Sequence, residues 1–244
     1  MFSLFKKSQS APAQLPVATD IHCHIVPGVD DGSPDVSTSV ELIDRLRGIG
    51  FKRIFASPHV TGSVFENTEE TLAGPLAELN AALRAKDGFS IDRHAEYRLD
   101  DFFVEQLEKG AIKALPGNFI LVENSFLQEP WNLEQLVYEL KLKGYNPILA
   151  HPERYGYYQH HRERYHQLHS SGLCFQINLL SLADHYGGEE RETAEWLISQ
   201  GLVDFLGSDV HRHNHLDSIE AYLRTKRAAR HFEALQGKLL NDRL

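Results

Sequence analysis

Histidine, aspartate and glutamate recur at the ends of short apolar runs along this 244-residue chain. His22 and His24 lie near the end of the first run, His59 follows the second, Glu96 ends the third and Glu123 the fourth. His151 follows the fifth, Gln176 and Asn178 close the sixth, and Asp209 and His211 follow the seventh. Residues two apart on a strand point the same way with Cα atoms about 6.5–7 Å apart, so His22 and His24 can converge on one ion. Cys23 then points to the opposite face, as a small buried residue. The loop Pro27-Gly28-Val29-Asp30-Asp31-Gly32 offers two carboxylates, one of them expected as a ligand, and its spacing does not say which. Prolines beside His59 and His151 stiffen the backbone where a ligand must be held. Imidazole with carboxylate and no thiolate suits Mn, Fe or Zn in a reactive site, whereas structural zinc prefers cysteine. Ions sharing carboxylates about 3.5–4 Å apart would activate a water and clamp both oxygens of a displacement, most naturally at a phosphoester.

Such a set needs a scaffold that gathers strand ends. Candidate strands at Ala18–Ile25, Arg53–Ser57, Ser90–Glu96, Phe119–Glu123, Asn146–Ala150, Leu173–Asn178 and Val203–Gly207 alternate with helical segments. Alternation implies a parallel sheet with right-handed crossovers, either a barrel or a doubly wound sheet. Polar residues after strand after strand favour the barrel, whose sites form at the C-terminal strand ends. The first helix should start at Ser33 as N-cap, with Pro34 at the first helical position, and stop near Gly48 or Gly50. In it Val36, Val40, Ile43 and Leu46 share one face. Thr68–Ala85 should fall into two pieces at Gly74-Pro75. Asp101–Glu108, Leu133–Lys143, Arg162–Ser170, Glu190–Ser199 and a tail from about Asp217 complete the helices, with Gly110, Gly144, Gly172 and Gly201 as stops.

Composition bounds the function. A hydrophobic fraction of 42% supplies a core, and a formal charge of -9 disfavours nucleic acid as the partner. Two cysteines, Cys23 and Cys174, give no disulfide framework, and a reduced cytoplasmic compartment is expected. No apolar run reaches about 18 residues, so no membrane span is expected. Residues 1–17 read as a flexible leader and 18–244 as one domain. His160, His161, His166 and His169 belong to a solvated helix face, and His94, His185 and His231 show no partner pattern. His213 and His215 are candidates for the rim of the site.

Asp20-Ile21-His22-Cys23-His24, Gly28-Val29-Asp30-Asp31-Gly32, Ser57-Pro58-His59, His151-Pro152-Glu153-Arg154-Tyr155 and Ser208-Asp209-Val210-His211 together resemble the PHP (polymerase and histidinol phosphatase) tyrosine phosphatases of bacterial capsule and exopolysaccharide operons, the CpsB/CapC type. The resemblance runs from about Thr19 to His211. It implies an α/β fold, a distorted seven-stranded (β/α)7 barrel of the TIM-barrel-like PHP type, with three divalent ions, Mn first and Fe, Zn or Mg as alternatives. One ion would take His22, His24, Glu96 and Asp209; a second would share Glu96 and add Glu123 and His151; a third would take Asp31, His59 and His211. The family thereby selects Asp31 over Asp30. Arg154 matches the arginine that holds the substrate phosphate, and it joins Asp209 and His211 as the catalytic set. A second family arginine beyond Asp-x-His has no clean counterpart, and Arg212 is the substitute. Ala95-Glu96-Tyr97 matches the third strand only in its glutamate.

The implied reaction is hydrolysis of protein phosphotyrosine by a metal-bridging hydroxide, on a membrane-associated tyrosine autokinase of polysaccharide export. The cysteine-dependent phosphatases are excluded, because the positions six residues after Cys23 and Cys174 are Val29 and Leu180, not arginine. The alternatives are a small-molecule PHP phosphatase such as histidinol phosphatase and a non-catalytic PHP binding module. A nuclease is disfavoured by the net acidity.

Overall fold

The structure is a computed structural model that describes residues 11–244. Its strands, in chain order, are β1 (Thr19–Asp20), β2 (Arg53–Ala56), β3 (His59–Val60), β4 (Asp92–Arg93), β5 (Glu96–Arg98), β6 (Phe119–Glu123), β7 (Asn146–Ala150), β8 (Cys174–Asn178) and β9 (Phe205–Gly207). All ladder pairings between them are parallel: β1-β2-β4 in one sheet and β3-β5-β6-β7-β8-β9 in the other. Every expected strand region thus contains strand, but the third is split in two and β3, just beyond the second, lies outside the expected regions. Ser57-Pro58 divides β2 from β3, where proline has no N–H for the ladder. The first region is regular only at Thr19–Asp20, because the Asp20 carboxylate takes the N–H groups of His22 (3.2 Å) and Ser208 (3.1 Å). Beyond it, His24 N–H donates to the Val210 carbonyl at 2.9 Å and Asp209 N–H to that of His22 at 2.7 Å. These bonds tie the first strand region to the segment after β9, so the parallel strands form a curled surface.

The helices are α1 (Val36–Gly48), α2 (Glu69–Asp87), α3 (Asp101–Glu108), α4 (Leu133–Leu142), α5 (Gly156–Gln159), α6 (Glu163–Ser170), α7 (Leu179–Leu182), α8 (Gly188–Gln200), α9 (His213–Leu223) and α10 (Lys226–Leu235). One face of the sheet packs on them: Ile120, Val122, Leu149, Phe175 and Ile177 share a core with Leu42, Leu79, Leu140 and Leu197. On the other face Ile21, Phe55, Leu121, Ile148 and Phe205 form a smaller cluster. Leu121 and Glu123 lie on the same face of β6, so this inner face runs from an apolar plug to carboxylates at the C-terminal strand ends.

Three expectations need correction. The N-cap of α1 is Asp35, whose side chain accepts from Thr38 N–H at 2.8 Å; Ser33 and Pro34 precede the helix. α2 is unbroken with Pro75 inside it. Gly74 lacks the Cβ that a following proline ring would strike, a capping box of Thr68 and Thr71 fixes the start, and Leu72, Leu79 and Leu83 are buried on both sides of the missing bond. The expected tail helix is two, α9 and α10, with Thr225 capping the second through Ala228 N–H. Of the 1–17 leader, residues 1–10 lie outside the described residues. From Ala13 onward the chain is docked: Ala13 N–H donates to the Leu223 carbonyl at 2.7 Å, and Leu15 and Val17 are buried. Among the described residues no helix is long and apolar enough to cross a membrane.

Candidate metal centre

The strand ends bring His22, His24, His59, Glu96, Glu123, His151, Asp209 and His211 together; all but the fully buried His22 and His24 line one cavity, and Asp31 reaches it from the loop after His24. Their candidate ligand atoms form four overlapping groups, each within 4.8 Å: His24–Asp31–His59–His211, His22–His24–Asp209, His22–Glu96–His151 and His59–Glu96–Glu123. The set expected for a third ion is present whole, with His24 added. His151 and Glu123 both adjoin Glu96, as expected, but each pairs there with a different imidazole.

Hydrogen bonds around the centre aim the ligand atoms. His22 Nδ1 lies 2.6 Å from Gln176 Oε1 and His24 Nδ1 2.9 Å from Asp30 Oδ2. Both partners are acceptors, so each Nδ1 carries the proton and each Nε2 presents its lone pair. Those two Nε2 atoms are 3.2 Å apart, and Glu96 Oε2 lies 3.2 Å and 3.3 Å from them. Glu96 Oε2 is buried and has no hydrogen-bond partner, as is His59 Nδ1, 3.2 Å from the same oxygen. Converging lone pairs and an orphaned carboxylate oxygen repel one another unless a cation sits among them. The field here calls for positive charge: burial opposes a charge on His22, yet Glu96 and Asp209 overcome it and raise its pKa to about 9, so without an ion a proton on the imidazole takes the cation's place. Oxygen and nitrogen donors only, with Cys23 Sγ turned toward the Phe55 carbonyl, suit Mn, Fe, Zn or Mg.

Asp209 divides its work between its oxygens. Oδ2 accepts from Asn178 Nδ2 (2.6 Å), Tyr186 Oη (3.0 Å) and Arg154 (3.1 Å), which turns Oδ1 toward His22 at 3.4 Å and His24 at 3.6 Å. The two loop aspartates also separate. Asp30 is committed to His24 and to the N–H groups of Gly32 and His59, both at 3.0 Å. Asp31 is half-exposed, with Oδ1 3.6 Å from His59 and 3.5 Å from His211. Glu123 accepts from Arg98 at 2.9 Å; burial and then the Glu96 charge push its pKa up to about 8.

The backbone is shaped for this. His151 and Asp209 adopt left-handed conformations, with φ of 35° and 54°. Non-glycine residues there cost on the order of 1 kcal/mol, and Pro152 keeps His151 out of the helical alternative. A Cβ on Gly207 would come within 2.6 Å of His22 Cβ, so only glycine lets β9 approach that imidazole.

Arg154 stands in the wall of the cavity, its guanidinium 4.8 Å from the Phe126 ring centroid and 4.1 Å from that of Tyr186. The cavity measures about 520 Å³, and Val64, Phe65 and Phe126 supply apolar lining. Arg212 lines it as an exposed side chain. Of the two rim candidates, His215 lines the cavity with Nδ1 3.3 Å from the Asp209 carbonyl, whereas His213 faces Glu41 at 3.3 Å. His185, without a pattern in the sequence, also lines it. His94 is buried against the Ile21 carbonyl, and burial depresses its pKa to about 3. Sequence reasoning missed Asp30 as a brace, Arg98 on Glu123, and Phe126 and Tyr186 around Arg154. An Asp-Asp pair between glycines signalled that two carboxylates had different roles; nothing local signalled the others.

Residues 18–235 match the family model described as capsular polysaccharide synthesis, CpsB/CapC. The tyrosine-protein phosphatase YwqE of Bacillus subtilis is 33% identical over 197 residues, covering 79% of this chain and 76% of that protein. The putative tyrosine-protein phosphatase CapC of Staphylococcus aureus is 28% identical, covering 92% and 89%. A crystal structure from work on YwqE and Streptococcus pneumoniae CpsB, described as unique metal-dependent tyrosine phosphatases, superimposes with a TM-score of 0.78 at 29% identity, covering 92% of this chain and 94% of that one. The histidinol phosphate phosphatase of Lactococcus lactis, solved with zinc, L-histidinol and phosphate, shares the fold at a TM-score of 0.51 and 17% identity over 85% and 92%. By its sequence match over residues 18–235, the chain belongs to the CpsB/CapC family of capsular polysaccharide synthesis.

Proposed function

We propose that this protein is a metal-dependent phosphatase that hydrolyses phosphotyrosine in a protein of capsule or exopolysaccharide synthesis. The observation that carries the reading is the buried, partnerless Glu96 Oε2 among three imidazoles, next to a cavity with an arginine in its wall. The names of the relatives support the substrate class. His22, His24, Glu96 and Asp209 would hold one ion, Glu96, Glu123 and His151 a second, and Asp31, His59 and His211 a third, with manganese the first candidate. Ions held there supply Lewis acidity at the phosphoryl oxygens and acidify the attacking water.

The chain's own residues do the rest. Arg154 offers its remaining N–H donors to the phosphate while Phe126 and Tyr186 keep its plane fixed. Arg212 is the candidate second cation for the substrate. Asp209 and His211, placed by the end of β9, complete the catalytic set. Tyrosinate, with a pKa near 10, leaves without a strong general acid. This reading takes the curled sheets, tied through Cys23 and Val210, as a distorted seven-stranded barrel in a single domain. The cytoplasm is the compartment and a membrane-associated tyrosine autokinase the partner that this reading assigns.

The test pairs metal analysis of purified protein with kcat/KM on a phosphotyrosine peptide and on histidinol phosphate. Bound metal and a preference for the peptide are expected. Preference for histidinol phosphate, or full activity in metal-free protein, overturns the reading.

A further inference from the structure

Next to the catalytic cavity lies a second hollow of about 510 Å³, lined by Leu99, Val104, Leu127, Pro130, Trp131 and Leu136, with Asp100 and Asp101 among its other walls. The two share a border. Arg98 and Phe126 line the catalytic cavity, and their chain neighbours Leu99 and Leu127 line the hollow. Leu127 and Trp131 are 91% and 96% exposed, the most exposed of the large apolar side chains among the described residues.

These side chains are not exposed because their loop is slack. Tyr157 Oη donates to the Ser125 carbonyl at 2.9 Å, Leu127 N–H to Ser125 Oγ at 3.2 Å, and Leu133 N–H to the Pro130 carbonyl at 3.1 Å. Glu129 turns the other way, gripped by Arg164 at 2.6 Å and 3.0 Å and by Tyr158 Oη at 2.5 Å. The loop is therefore built, from its own backbone and a half-buried anchor, to present Leu127 and Trp131 outward. Preorganised aromatic and aliphatic side chains around a hollow are what a binding site presents, because little order remains to be imposed on association.

We propose that this hollow binds the polypeptide that flanks the phosphotyrosine, and that it selects a segment carrying apolar and basic residues; the proposal rests on the phosphotyrosine reading above. Three observations decide the occupant. A protein substrate whose phosphotyrosine enters the cavity must leave it across a rim, and one rim is the Phe126–Leu127 step. An extended chain advances about 3.3 Å per residue, so the hollow is within reach of roughly five residues. Asp100 and Asp101 line it and no basic side chain does, which favours lysine or arginine on the ligand. The same carboxylates, on a chain of formal charge -9, disfavour an anionic lipid surface.

The experiment uses the metal-loaded full chain and three substrates: free O-phosphotyrosine, a phosphotyrosine peptide with leucine and lysine within five residues, and the same peptide with glycine and serine there. The parent should prefer the first peptide over the second by roughly tenfold in kcat/KM, through KM. Trp131→Ala and Leu127→Ser should erase that preference and leave turnover of free phosphotyrosine unchanged. Asp101→Asn should remove the part owed to lysine. Equal use of the two peptides by the parent, or variants that keep the preference, overturns the proposal. So does an unchanged preference in variants that instead dissolve a dimer or no longer bind phosphatidylglycerol vesicles; the patch then serves a second copy or a bilayer. A parent inactive on all three substrates is a different failure, which removes the phosphatase reading and this proposal with it.

Discussion

Arg154→Ala separates substrate recognition from metal binding, because the side chain touches only one oxygen of one proposed ligand. A guanidinium has five N–H donors. One NH1 bond goes to Asp209 Oδ2 at 3.1 Å, and the Phe126 and Tyr186 rings flank the plane at 4.8 Å and 4.1 Å. The other donors are available to the phosphate. Removing the side chain leaves Asp209 Oδ2 with Asn178 at 2.6 Å and Tyr186 at 3.0 Å, so Oδ1 stays aimed at His22 and His24 and metal content should hold. Loss of a charged transition-state contact should lower kcat/KM by about 10²-fold, equivalent to about 2.7 kcal/mol. An exposed ion pair would be worth at most about 1 kcal/mol and have no kinetic consequence. His151→Ala is the control: it removes a proposed ligand, so metal occupancy and turnover of every substrate should fall together. Metal content by mass spectrometry and kinetics on a phosphotyrosine peptide are measured for both variants. Parental turnover by Arg154→Ala would refute the recognition argument. Loss of metal in that variant would show instead that Arg154 serves to hold Asp209.

A strong chelator should abolish activity and lower the melting temperature, since converging lone pairs and carboxylates lose their cations, and Mn²⁺ should restore both; a chelated protein that keeps its activity refutes the metal assignment. Cys23→Ser and Cys174→Ser should keep most activity, because burial pushes the Cys23 thiol up and the Cys174 thiol to about 12, far from thiolate at neutral pH; inactivity of either with metal and fold intact would point to a thiol nucleophile. Asp31→Asn should empty one metal position, whereas Asp30→Asn should weaken affinity by about 10–100-fold through His24 and leave the ligand count unchanged. Equal metal stoichiometry in those two variants counts against the division of labour between them.

The sequence was legible where physics is local. Alternation of apolar runs with helical periods located every strand except β3, and Cys23 does lie on the face opposite His22 and His24, as a two-residue period requires. It misled where a competing local bond or a neighbour decided the outcome. Asp35 rather than Ser33 caps α1 because its carboxylate reaches Thr38 N–H. Gly74 lets Pro75 sit inside α2, where a bulkier predecessor would have met the proline ring.

The same distinction governs the site. Residue type and strand-end position were enough to nominate imidazoles and carboxylates, because a parallel sheet brings C-terminal ends together whatever its other details. The braces were not legible. Gln176 fixes the proton of His22 across 154 residues, and Arg98 reaches Glu123 across 25. Such pairs exist only after folding, and no spacing rule encodes them. Asp30 and Asp31 mark the boundary. Adjacent and chemically identical, they cannot be ranked by sequence physics, yet the turn closed by Asp30 on Gly32 N–H points one carboxylate inward at His24 and leaves the next facing His59 and His211. A carboxylate spent on three donors is suited to orienting a proposed ligand; its neighbour, with an oxygen aimed only at imidazoles, is the one we propose for the cation.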